Sequence, residues 1–493
     1  MRTLLLIFLL LLGSWATPSL AQTFTLTIQN GSGGGSYAAG DTVHLWAKDY
    51  PTDSVFDRWV GTDAQLVERT DEWHTRLVMP ARAVNLAARF RYAAPFTLSS
   101  RTIRGVQRNK RVFTHFPANL RGVVFLFHGT GGSADEWTGN DDNGQLIRDL
   151  AARGYGVMIT ECEERTANQD FNNDGKIRWQ ATPLVYANNT DVQNLAALLD
   201  TAYARGWFAA TTPILLLGMS NGGAFTGTAG LLLLQEGYPV RATNSYCADG
   251  IAAVYQITTV PNLYTMAQRD QNTQVSNADA ATNAQNLANR GFCSRISVHP
   301  PSPLTAERMA RFGYLNLSTA QTVLAEIRAL GALDAEDIPL LPLTSSPVTS
   351  ATPAQAPTLT GLTGMQRLYL SDLYNICFAD HRFYSDYSGR SIAFFDSLCA
   401  TPTATLPRAD ENPLALQVWP NPFNGSFSVN LSEAGDLSLW NLSGQRIWQQ
   451  TTAAGTQEVW LGPVPEGVYI LRLETADGQR HYLRVVKAAG ESR

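Results

Sequence analysis

The chain has 493 residues, more than one ordinary hydrophobic core accommodates, so two or three domains are expected. Hydrophobic residues make up 44% of it, as in most globular proteins, and the formal net charge is −5. That balance excludes a nucleic-acid binder, which needs a strong positive field, and no run after the N-terminus is apolar enough to span a bilayer.

Residues 1–21 carry Arg2, the apolar run "LLLIFLLLLG", and small residues leading to Ala21. This is the pattern of a secretory signal peptide cleaved after Ala21, so the mature protein is expected to leave the cytoplasm through the periplasm. Disulfides persist outside the cytoplasm, and the five cysteines, Cys162, Cys247, Cys293, Cys377 and Cys399, leave at least one unpaired. None is spaced C-x-x-C. Spacing leaves the connectivity open; the pairs we expect are Cys377 with Cys399 and Cys247 with Cys293.

Residues 22–93 read as a small β domain. "TFTLTI", "TVHLWA", "TRLVMP" and "VNLAARF" place β-branched or aromatic residues at every second position, between Gly-rich or polar turns. The "GGGSYAAG" start, the Phe56-x-x-Trp59 pair and Met79-Pro80 before the last strand resemble the internalin-type B-repeat of bacterial surface proteins over residues 31–90. That resemblance implies an accessory or adhesive module. No catalytic cluster lies in it, and His44 and His74 are expected to be surface or strand-packing residues.

Residues 94–399 alternate strands with helices. "GVVFLFHG", "YGVMIT" and "PILLLGMS" are unbroken apolar runs of strand length, and "NGQLIRDLAARG" and "NTDVQNLAALLDTAYARG" are helical stretches between them. Strands buried on both faces with helices between them mean a mostly parallel sheet, hence an α/β fold. One of these strands runs into Gly218-Met219-Ser220-Asn221-Gly222, a strand-turn-helix setting in which glycines relieve crowding around a serine nucleophile. Another ends in His128-Gly129-Thr130-Gly131-Gly132, where a backbone free of bulky side chains approaches a reacting oxygen closely.

Together, the "HGTGG" loop and the "GMSNG" elbow resemble the α/β-hydrolase superfamily. The resemblance implies an α/β-hydrolase fold, flanked here by two small all-β domains. It makes Ser220 the nucleophile and the N–H groups of Thr130 and Asn221 the oxyanion donors, with Gly131 as a substitute. His128 precedes the serine and is assigned to bracing the loop, because the base of this fold follows the nucleophile. His299, His381 and His481 satisfy that order. His481 falls in another domain and His299 is followed by two prolines, so His381 is the expected base. The acid lies between Ser220 and His381: Asp270 is expected, with Asp249 as the alternative, and each also reads as a cap of a turn or helix.

Residues 122–398 resemble the secreted esterase branch of that superfamily, which includes feruloyl and acetylxylan esterases and short-chain polyhydroxyalkanoate depolymerases. A secreted serine carboxylic ester hydrolase follows, acting through an acyl-enzyme on short-chain, phenolic or polymeric esters. The alternatives are an extracellular polyhydroxyalkanoate depolymerase, a serine peptidase of the same fold and a non-enzymatic surface adhesin. A helical insertion at about 300–364 is either a partial cap or a surface decoration. Trp137, Phe383, Tyr384 and Tyr387 are candidates for an aromatic wall. Serine hydrolysis needs no cofactor; Asp170, Asn172 and Asp174 resemble the first half of a calcium loop, or else build Asx turns.

A Pro-rich linker at 400–413 leads to alternating strands over 414–493. "PNPFNG", "LSGQRI" and "GVYILRL" resemble the type IX secretion sorting domain, a β-sandwich. That resemblance implies the type IX machinery as a partner and a secreted or cell-surface location.

Overall fold

The computed structural model describes residues 22–48, 53–139, 141–398, 416–431, 433–441, 446–461, 464–475 and 480–487. The expected signal peptide, Cys399 and the expected linker lie outside the described residues. The chain divides into two compact units, residues 1–399 and 400–493.

The first unit begins with two small sheets. Strands 35–38, 23–29, 84–92 and 54–60 form one, and strands 31–32, 42–47 and 74–78 the other. Leu26, Leu45, Trp59, Leu77 and Val84 close the core between them, each side chain contributing roughly 1.5–3 kcal/mol by leaving water. Trp59 donates its indole N–H to the Glu72 carbonyl at 2.9 Å, so the ring is buried without an orphaned donor.

An eight-stranded sheet follows: β1 (Ser99–Arg104), β2 (Asn109–His115), β3 (Gly122–Phe127), β4 (Tyr155–Ile159), β5 (Ile214–Met219), β6 (Val240–Tyr246), β7 (Asn262–Ala267) and β8 (Ser294–His299). Its order is β8-β7-β6-β5-β3-β4-β2-β1. β2 runs antiparallel to β1 and β4, and every pairing from β4 across to β8 is parallel. Alternation along β3 feeds two cores: Val123, Phe125 and Phe127 enter one, and Val124 and Leu126 the other. Both faces are covered, which is why β3 reads as an uninterrupted apolar run. The strand order reverses beside β3, so the loops after β3 and β5 open a crevice at the carboxyl edge of the sheet.

The insertion folds as Ala306–Ala310, Leu317–Ala329 and Pro357–Gly361, joined by the helix Gly364–Phe378. Met309, Val323, Ile327, Leu373 and Tyr374 give it a core of its own. A capping box at Thr363 and Gln366 starts the helix Gly364–Phe378, and Ala379 ends it in the left-handed region at φ 66°. Asn375–Phe378 is therefore the last turn of that helix. The following helix spans Ser388–Ser397.

Neither expected disulfide forms. Cys247 and Cys377 are both free, buried thiols. Cys247 directly follows β6 and packs into the sheet's core, whereas Cys377 packs into the core of the insertion with its Sγ 3.6 Å from the Pro303 carbonyl. Burial pushes the Cys377 thiol up to about 12.

In the second unit, strands 446–452, 435–441, 467–475, 480–487, 416–424, 426–431 and 455–460 pair in that order. Phe423, Phe427, Leu437, Leu471 and Val485 form its core.

Candidate active site

β3 and β5 lie in parallel register with Phe127 opposite Gly218, so the loop after one strand adjoins the turn after the other. At that turn Ser220 has φ 57° and ψ −122°, a strained conformation for a residue with a Cβ. The surroundings impose it. A Cβ on Gly218 would lie 2.3 Å from the Gly222 carbonyl oxygen, and one on Gly222 2.5 Å from the carbonyl oxygens of Phe127 and His128. Only glycine fits at either place. The helix Asn221–Gln235 then begins directly after the serine.

His381 stands between the helices Gly364–Phe378 and Ser388–Ser397. Its Nε2 is 2.8 Å from Ser220 Oγ and its Nδ1 is 2.8 Å from Asp270 Oδ2. Asp270 follows β7 by three residues, and its side chain is 5% exposed against 17% for His381. The sequence candidates Ser220, His381 and Asp270 are thus in one hydrogen-bonded line. The central domain has the α/β-hydrolase fold.

Asp249 is elsewhere: it accepts the Ser276 N–H at 3.1 Å and caps the start of a helix, with burial raising its carboxyl. His299 is buried, directs Nε2 to the Ile376 carbonyl at 3.0 Å and stacks on Tyr384. Asp380, next to the histidine, takes the backbone N–H of Gln271 at 2.9 Å and so ties the two loops together.

Thr130 adjoins Ser220 in the same cleft. The N–H of Asn221 is at the first position of its helix, where no carbonyl four residues earlier is in place to accept it, and the helix dipole there favours a developing negative charge. His128 is buried; its Nδ1 lies 2.7 Å from the Gly129 carbonyl and its Nε2 accepts the Cys162 N–H at 3.2 Å. Burial lowers it to about 4, so the ring is neutral at pH 7.

Residues without a sequence signature complete the frame. Arg165 donates Nε to the Gly132 carbonyl at 2.7 Å and Nη2 to the Gly131 carbonyl. Trp179 donates its indole N–H to the His128 carbonyl at 3.0 Å, and its backbone N–H to Asn221 Oδ1 at 2.7 Å. The expected aromatic wall is only partly present. Trp137 and Tyr384 are fully buried beneath the site and belong to the core, while Phe383 reaches the cleft beside Tyr314 and Tyr369.

Two clefts meet at Ser220. One, of about 630 Å³, is walled by the insertion through Tyr314, Met365, Leu368 and Tyr369. The other, of about 900 Å³, runs past Phe171, Arg178 and Gln180. In the Asp170–Asp174 loop, Gly175 N–H donates to Asp170 Oδ2 at 2.7 Å, Lys176 N–H to Asp174 Oδ1 at 2.9 Å, and Arg178 pairs with Asp174.

Residues 417–487 match the family model of the secretion system C-terminal sorting domain, and residues 24–94 that of the divergent InlB B-repeat domain. No curated protein matches the chain. Among solved structures it is similar to dienelactone hydrolase from Anabaena variabilis, at 14% identity over 42% of this chain and 87% of that one, with a TM-score of 0.30. A bacterial heroin esterase aligns at 15% identity over 41% and 74%, with a TM-score of 0.30. A carboxyl esterase from Bacillus coagulans aligns at 8% identity over 42% and 90%, with a TM-score of 0.32. No helix among the described residues is long and apolar enough to cross a membrane.

Proposed function

We propose that the protein is a secreted serine carboxylic ester hydrolase acting through an acyl-enzyme. The observation that carries this is the Ser220–His381–Asp270 line, with 2.8 Å between each pair of neighbours. In the acylation step Ser220 Oγ attacks the ester carbonyl while His381 Nε2 takes its proton. The N–H groups of Thr130 and Asn221 receive the oxyanion. As the C–O bond breaks, the alcohol leaves with the proton from His381, and the acyl group stays on Ser220. Water, deprotonated by the same nitrogen, then attacks the acyl-enzyme and releases the acid. Asp270 holds the imidazole with Nδ1–H toward its carboxylate and stabilises the imidazolium.

The two clefts on either side of Ser220 give the acyl and alcohol portions separate room, which favours esters with a substantial group on each side, phenolic and polymeric ones included. The C-terminal segment directs export by the type IX route, to the medium or the cell surface.

Ser220→Ala, assayed with p-nitrophenyl butyrate, tests the reading. Loss of the covalent route is expected to lower kcat by at least about a thousandfold. A variant keeping a tenth of the activity sinks the assignment. Turnover of aminoacyl-p-nitroanilides in place of esters makes the protein a peptidase.

A further inference from the structure

We propose that the N-terminal B-repeat-like domain is a positioning element of the active site: Trp73 and His74 hold Ser385 and Asp386 and thereby fix the loop that carries His381. The inference rests on the role of His381 proposed above and goes beyond it. It also reverses the expectation that this domain stands apart from the chemistry.

The loop from His381 to Ser388 joins two helices and is gripped at its middle, four and five residues past the histidine. Ser385 donates its N–H and its Oγ–H to Asp142 Oδ1 at 2.9 and 2.6 Å. Its carbonyl accepts the indole N–H of Trp73 at 2.9 Å, across 312 residues of sequence. Asp386 is 2% exposed and ionised, its carboxyl held well below the usual range despite burial because His74 Nδ1 and the Arg308 guanidinium face it. The His74 contact is a hydrogen bond, whereas Arg308 stands off at 3.6 Å. A buried carboxylate requires a close partner, and here a separate β domain supplies it.

The neighbouring contacts make the joint stiff. Arg308 and Arg311 of the insertion lie over the Trp73 ring at 4.9 and 4.0 Å. Arg311 also donates to the Ala47 carbonyl at 2.8 Å. Glu72 receives Arg390 of the following helix at 2.6 and 3.1 Å. A Cβ on Gly389 would lie 1.8 Å from the Asp71 carbonyl oxygen, so the two backbones touch. Behind His74, His44 Nδ1 sits 3.0 Å from its Nε2 and orients the ring. The histidine loop is therefore clamped between Asp142 at the start of the helix Asp142–Ala152, the insertion and the N-terminal domain. A shift of about 1 Å in a reacting group costs on the order of a hundredfold in rate.

Four variants of the full chain test this, each assayed with p-nitrophenyl acetate where circular dichroism shows it folded, and titrated with a fluorophosphonate that labels Ser220. His74→Leu is expected to lower kcat by at least about tenfold with KM within about threefold, and to slow labelling in parallel. His74→Asn keeps an N–H donor near the Nδ1 position and is expected to stay within about threefold of wild type. Trp73→Phe keeps an aromatic ring beneath Arg308 and Arg311 but removes the donor to Ser385, and is expected to lower kcat as well, which covers the case of His74→Leu failing to fold. Leu26→Ala, deep in the same domain, is expected to lower Tm and leave kcat unchanged. Folded His74→Leu or Trp73→Phe at wild-type kcat overturns the inference alone, as does Leu26→Ala losing kcat to the same extent. A wild-type protein inert to both ester and fluorophosphonate removes the proposed function and the inference with it.

Discussion

Asp270 Oδ2 lies 2.8 Å from His381 Nδ1, while Asp249, one strand away, turns its carboxylate to the N–H of Ser276. Only the first can select the imidazole tautomer that leaves Nε2 free to accept the serine proton. Asp270→Asn is accordingly expected to lower kcat by about 10⁴. Asp249→Asn is expected to stay within a few-fold, because it changes a helix cap. Ester turnover by the two purified variants checks the contrast, and equal losses would defeat it.

Arg165 fixes the loop that carries Thr130 by donating to the carbonyls of Gly131 and Gly132. Arg165→Ala frees that turn and leaves the serine and histidine untouched. A fall in kcat of about tenfold is expected, roughly 1.4 kcal/mol of transition-state stabilisation. Phosphonate inhibitors that mimic the oxyanion should weaken in proportion to kcat/KM, and unchanged inhibition would argue that another group positions the loop.

Burial lowers His299 to about 4 and His44 to about 3, against an ordinary 6.5. The unfolded chain thus binds protons that the folded one refuses, so these rings contribute stability above pH 6.5 that is lost as pH falls toward 4 and then 3. Glu72 has the opposite sign: burial raises it to about 7, and its contribution is lost as pH rises through that value. A difference measurement separates them. His299→Gln removes one ring, and wild type is expected to lose about 3 kcal/mol relative to the variant between pH 7 and pH 4. Urea unfolding at the two pH values reads this, and a constant gap would refute it.

The C-terminal unit is compact by itself, with its own apolar core. Deleting residues 414–493 should leave kcat and KM on soluble esters unchanged while the enzyme fails to appear outside the cell. Fractionation of the producing culture tests it; truncated enzyme in the medium at normal levels would defeat the export role.

The sequence by itself determined whatever depends on local chain chemistry. Ser220 was legible because a strand, a sharp turn and a helix fall within a dozen residues, and because Gly218 is forced by the Gly222 backbone in the same turn, while Gly222 is forced by the Phe127 and His128 carbonyls of the neighbouring strand end. The two-core sheet was legible because strands buried on both faces must be continuous apolar runs. The terminal β domains were legible from period-two alternation. The tertiary structure decided what depends on which strand ends meet. Asp249 and Asp270 follow adjacent parallel strands, about 4.8 Å apart, and nothing local distinguishes them. Cys247 and Cys377 are free thiols buried in different cores, so neither the expected Cys247–Cys293 pair nor the expected Cys377–Cys399 pair forms. Trp137 and Tyr384 flank the site in sequence yet pack beneath it, because their rings complete the core under the loop. The grip of Trp73 on Ser385 joins residues 312 apart, and a contact of that separation leaves no periodic trace in either segment.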